Sequence, residues 1–188
     1  MFGRWFQRSL PVEDRVWTDA AARTRGLRAD VERALDGGAA ALLLLRSQTD
    51  EADFARELVA RSPVLGHDRF AADDLQAALQ RPGALGVCSV DALRPLATTG
   101  TAAGSGKRAP LQVHVLARDA RRSADRKLLD LLTPWTPARV VFHHSLDDAL
   151  LRTHATHLQP LLQKLGLAAD EAIASPLLTR AIERAQRP

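Results

Sequence analysis

The sequence has one cysteine, Cys88, no tyrosine, and only 4% aromatic residues in a chain of 188. A single thiol excludes an internal disulfide framework and an all-cysteine metal site, and it fits a reducing compartment. Scarce aromatics leave little from which to build a base-stacking platform for nucleic acid. No apolar run approaches the roughly 18 residues that a membrane-spanning helix needs; the densest, Ala39 to Leu45, is far shorter. The opening MFGRWFQRS has no apolar stretch leading to a cleavage site, so no secretory signal is expected and the chain reads as cytoplasmic. What is present is ordinary for a globular fold, with 46% hydrophobic and 26% charged residues. That length and composition suit one domain with a core of its own.

The formal net charge is +4 and the isoelectric point is 10.1, a balance that invites an anionic partner. The arginines, however, sit beside acids, as in Asp14-Arg15, Glu32-Arg33 and Glu183-Arg184. That is the pattern of solvated helix faces more than of a nucleic-acid track. A basic nucleic-acid-binding module stays as an alternative.

Along the chain, residues 1–12 hold Phe2, Trp5, Phe6 and Leu10 among arginines. They read as an amphipathic arm or as a terminal segment folded onto the body, and the second is expected. Residues 13–35 carry a broken helical period stopped by Gly37-Gly38. Apolar runs at 39–45, 84–89, 111–116 and 138–144 read as buried strands. Helical spacing recurs at 49–59, 73–80, 118–132, 146–152 and 158–165. A last helix begins at Pro176 with Ser175 as N-cap and is expected to bury Leu178, Ala181, Ile182 and Ala185. Residues 97–110, ATTGTAAGSGKRAP, form a flexible loop. Strands alternating with helices predict an α/β fold with a mostly parallel sheet covered on both faces.

Local motifs are weak. GSGK at 104–107 resembles a phosphate loop, but Thr101 stands where the first glycine belongs and Arg108 where the magnesium-binding hydroxyl belongs. It also precedes a strand instead of following one. His143 and His144, adjacent in a strand, point to opposite faces and cannot share one metal. His154 and His157 share a helix face without a third ligand at a suitable local spacing. Asp147-Asp148 reads as an answer to a helix dipole more than as an acid/base pair. Cys88 reads as a core thiol, and Ser89 and Asp91 have no triad spacing.

The run from Val141 to Arg152 (VFHHSLDDALLR), then LLQKLG at 161–166, then the run from Ala174 to Gln186 (ASPLLTRAIERAQ), resembles the end of the second motor domain of SecA. SecA is the ATPase family that drives preproteins through the bacterial membrane channel. Weaker likeness extends backwards through residues 111–116, 83–98 and 41–59. The resemblance implies a RecA-like, helicase C-terminal-like, three-layer domain over 13–175, with 176–188 matching the start of SecA's long scaffold helix.

The departures from the family matter most. The family loop after the strand at 84–89 carries glycines around an arginine, with an aspartate following. Here Arg94 remains, Leu93 and Pro95 replace the glycines, and Ala97 replaces the aspartate. Proline fixes φ and has no N–H, which suits a phosphate-sensing turn poorly. The family's arginine-rich motif falls on 127–134, which reads KLLDLLTP. An arginine at such a position contributes about 10³–10⁵ in rate in related phosphoryl-transfer systems. The other motor half, with its P-loop lysine and magnesium-binding aspartate, has no counterpart in the sequence. The expectation is therefore a pseudo-ATPase without catalytic residues, cofactor or metal. It would act as a protein-interaction module that self-associates or docks a protein, a component of the export machinery being one candidate. The alternative from the enzyme class is a nucleotide-binding protein that uses Arg94, Lys107 and Arg108 on phosphates, with a partner completing the site.

Overall fold

The six-residue run Ala40–Leu45 is apolar on both faces, and a strand of that kind is stable only with cover above and below. In the structure, a computed structural model that describes residues 10–46, 75, 79–93, 109–152 and 171–188, it is strand β2 and is buried throughout. It belongs to a six-stranded sheet. The other strands are β1 (Val12–Trp17), β3 (Leu85–Ser89), β4 (Leu111–Leu116), β5 (Arg139–Ser145) and the short β6 (Ile173–Ala174), in the order β3-β2-β4-β5-β1-β6. All neighbouring pairs are parallel except β1 and β6.

Helix α1 (Ala20–Asp36) covers one face. Its Leu27 and Val31 pack with Leu43, Leu45, Val87 and Leu116. Helix α2 (Arg122–Leu132) covers the other, where Leu128 and Leu132 meet Leu42, Leu44, Val113, Val115, Val140 and Phe142. The α/β/α layering expected for a RecA-like domain is present. Helix α3 (Pro176–Ala185) has Pro176 in its first turn and Ser175 accepting from Leu177 N–H. Its Ile182 is buried against Val16, Leu146 and Leu151 at the β1 side of the sheet.

Four expectations change. The broken helical period over 13–35 is a strand followed by a helix, β1 and then α1. Asp14 and Arg15 interrupt the apolar alternation that would mark β1, and both are neutralised by ion pairs instead of solvent. The helix expected at 118 begins at Arg122, because Ala117 sits at φ 61° and turns the chain after β4. Residues 146–151 form turns, not a helix, and Ala181 faces solvent. Residues 1–9 of the arm, the helices expected at 49–59 and 158–165, and the loop up to residue 108 lie outside the described residues, as does most of the helix expected at 73–80, of which residues 75, 79 and 80 are described.

Candidate functional site

From β2 the chain passes to β3 on one side, and from β4 to β5 on the other. Connections therefore diverge between β2 and β4, and in open parallel sheets ligands sit outside the carboxyl ends of the strands at such a point. A cleft of about 420 Å³ lies there. Arg46 at the end of β2, Asp91 after β3, Asp119 and Arg121 after β4, and Lys127 and Leu131 of α2 contribute to its walls.

The crevice between the two strand tips is filled from within. Arg46 donates through Nε to the Ala117 carbonyl at 2.8 Å, and its guanidinium pairs with the buried Asp125 of α2. A second contact, 3.5 Å long, reaches Asp119. Asp125 Oδ1 also accepts from Asp119 N–H at 3.0 Å. Gln186, just past α3, donates through Nε2 to Asp125 Oδ2 at 2.6 Å and to the Asp119 carbonyl at 2.7 Å.

A second arginine is consumed the same way. Arg118 lies against the Phe142 ring, 4.5 Å from its centroid. It holds Asp14 in a bidentate pair, Nε–Oδ1 2.7 Å and Nη2–Oδ2 2.9 Å. His144 Nε2 donates to the same Oδ1 at 3.0 Å. Burial alone would raise the Asp14 carboxyl, but the hydrogen bonds from His144 and Arg118 outweigh it and hold that group well below the usual carboxylate range.

His143 points to the opposite face, as adjacent strand residues must. There it lies near-parallel to Trp17, with centroids 6.3 Å apart. Its Nε2 is 3.1 Å from His114 Nδ1, so one ring donates and the other accepts. Burial pushes His114 down to about 4, and burial together with the neighbouring His114 puts His143 well below its ordinary value. Among the described residues no group of three or more His, Cys, Asp or Glu side chains could hold a metal.

The structure places the remaining candidates as follows. Asp147 serves the dipole of α1, accepting from Ala20 N–H at 3.0 Å, whereas Asp148 makes an ion pair with the Arg23 side chain at 2.6 Å and accepts from Ser145 N–H. Cys88 is half-buried. Asp91 faces the cleft. Arg94, Lys107, Arg108, His154 and His157 lie outside the described residues. The residues at 127–134, matched by resemblance to the arginine-rich motif, start on α2 with Lys127 exposed, Leu128 and Leu132 buried in the core, and Leu131 on the cleft wall. Sequence reading missed Asp14, Arg46, Arg118, Asp125 and Gln186. Most of their partners are distant in sequence, and the one local signal was a buried-strand pattern broken by Asp14.

No family model matches the chain. Over 52 residues it is 44% identical to the protein translocase subunit SecA of Afipia carboxidovorans, and 46% identical to the subunits of the same name from Nitrosococcus oceani and Acidithiobacillus ferrooxidans. Each match takes in 27% of this chain and 6% of the relative, so the likeness marks a SecA-related region and spans a small part of those proteins. Among the described residues, no helix is long and apolar enough to cross a membrane.

Proposed function

We propose that the chain is a SecA-like motor half without phosphate chemistry, retained as a protein-interaction module linked to preprotein export. One observation supports this above the others. At the strand tips, where a RecA-like domain meets nucleotide, Arg46 and Arg118 are both committed to buried carboxylates of the same chain. To serve a phosphate either would have to abandon its partner, leaving Asp125 or Asp14 buried without its closest cation and with only its remaining hydrogen bonds; breaking a buried ion pair costs up to about 3–5 kcal/mol. Among the described residues, the remaining cleft cations, Arg121 and Lys127, are exposed and share the space with Asp91 and Asp119, which offset them against a polyanion. Leu131, within the 127–134 stretch where the resemblance expects arginine, stands on the wall.

Titration calorimetry with MgATP and MgADP tests the loss of nucleotide chemistry. No saturable heat is expected. Saturable binding abolished by Lys107→Ala would overturn the reading in favour of a nucleotide-binding protein completed by a partner. Light scattering tests the interaction role, with a second copy or a protein partner expected in the complex. A strict monomer that engages no export component would count against it.

A further inference from the structure

We propose that the groove between α2 and α3 is a docking site for an acidic segment of a partner protein. The proposal rests on the reading of the chain as an interaction module and names the chemistry of what that module takes.

The groove, about 410 Å³, runs between the first half of α2 and the end of α3, with Arg122, Ser123, Arg126, Glu183, Arg184 and Pro188 along it. Arg122 is tied to Glu183 at 3.2 Å. Arg126 and Arg184 are exposed, and among the described residues neither has a carboxylate partner. Lys127, Arg180 and Arg187, on the same two helices or just beyond, are likewise without one among the described residues. In the body, Arg15, Arg23, Arg46 and Arg118 are each paired with an acid, while the exposed Arg25 and Arg81 stand apart from the groove. Within the groove Arg126 and Arg184 leave unpaired positive charge side by side, while Lys127 and Arg180 line neighbouring clefts; the amino-terminal end of α2 lies next to it, and its helix dipole adds to that charge.

Shape and chemistry favour a peptide. Arginine stems and Pro188 give walls that are apolar along their length and cationic at their tips. They suit carboxylates spaced along an extended chain with small apolar residues between them. Among the described residues no aromatic side chain lines the groove, so they offer successive bases nothing to stack on. The frame is also fixed in advance. Gln186 is anchored on Asp125 and the Asp119 carbonyl, Arg187 N–H donates to the Ala120 carbonyl at 2.8 Å, and Arg122 N–H donates to the Arg187 carbonyl at 2.9 Å. A preset groove loses less entropy when it is filled.

The test is fluorescence anisotropy with a labelled twelve-residue peptide of alternating glutamate and alanine, on the full chain. The paired variants are Arg126→Glu with Arg184→Glu, and Arg25→Glu with Arg81→Glu, the second making an equal charge change on exposed residues away from the groove. The expected result is saturable binding weakened at least tenfold by the groove pair and little changed by the control pair. If the groove pair fails to fold, Arg126→Gln with Arg184→Gln is used, with a smaller loss in the same direction. Three results each overturn the proposal: no saturable binding by the native chain, equal losses in both pairs, or tighter binding of a twelve-nucleotide oligothymidylate that the groove pair also abolishes. The two readings fail separately. Saturable MgATP binding would overturn the inactive-motor reading whatever the peptide does, whereas loss of peptide binding alone would leave that reading standing.

Discussion

At the scale of single residues, the buried charges follow one rule: a charge leaves water only when its hydrogen bonds are replaced. Asp14, fully inside the sheet, keeps its charge because Arg118 covers both its oxygens and His144 adds a third donor. Arg118→Ala would strip that cover and is expected to cost about 3–5 kcal/mol, read from denaturant midpoints. The His114–His143 pair is the reverse case, two rings kept neutral by burial. An unfolded imidazole titrates near 6.5, while His114 in the fold titrates at about 4. Between those values the unfolded chain binds more protons, so stability should fall as pH drops through that window, by about 1.4 kcal/mol per unit for each histidine at the steepest. Urea midpoints at successive pH values should show that slope, and a variant carrying His114→Leu and His143→Leu should flatten it. Asp14 acts lower down: its contribution is complete above its unfolded value of 3.8 and is lost only as pH falls further. The opposite facing of His143 and His144 was legible from strand period alone. That His114 lies beside His143 was not, because parallel neighbours are chosen by topology and no local pattern encodes them.

At the scale of elements, four strands and the last helix were legible because their apolar runs and caps are local. Ser175 and Pro176 announced α3 in advance, and the run at 39–45 could be nothing but interior. β1 was hidden. VEDRVW looks like an exposed helix start until Arg118 and Asp30 arrive to neutralise its charges. The seam between β1 and α1 also depends on a missing side chain. A Cβ on Gly26 would lie 1.9 Å from the Trp17 ring, so Gly26→Ala should destabilise by about 1–3 kcal/mol from overpacking, more than alanine's helix preference of about 1 kcal/mol returns. A melting curve that rises instead would contradict this packing. The start of α1 is capped by Asp19, which accepts from Ala22 N–H at 2.7 Å. Asp19→Ala should cost about 1 kcal/mol in the same measurement.

At the scale of the whole molecule, the three-layer plan was legible from the alternation of strands and helices, and the candidate site was not. Its members come from β2, the turn after β4, α2 and the end of α3, and only the folded chain brings them together. Gln186 is the join, tying α3 to the turn that closes the cleft. Gln186→Leu should therefore speed amide exchange in α3 and at Arg122 while leaving β2 and β4 protected, since local openings are graded by what holds each segment. Uniform exchange across all of them would show that α3 is not separately held. The partly exposed guanidinium of Arg46, wedged between strand tips on Asp125, has one more consequence. Replacing it with glycine would hollow out a berth of the same outline beside a carboxylate still wanting a cation. Small soluble guanidines at millimolar concentration should then refill the hole and restore part of the lost melting temperature, while having no such effect on the native chain.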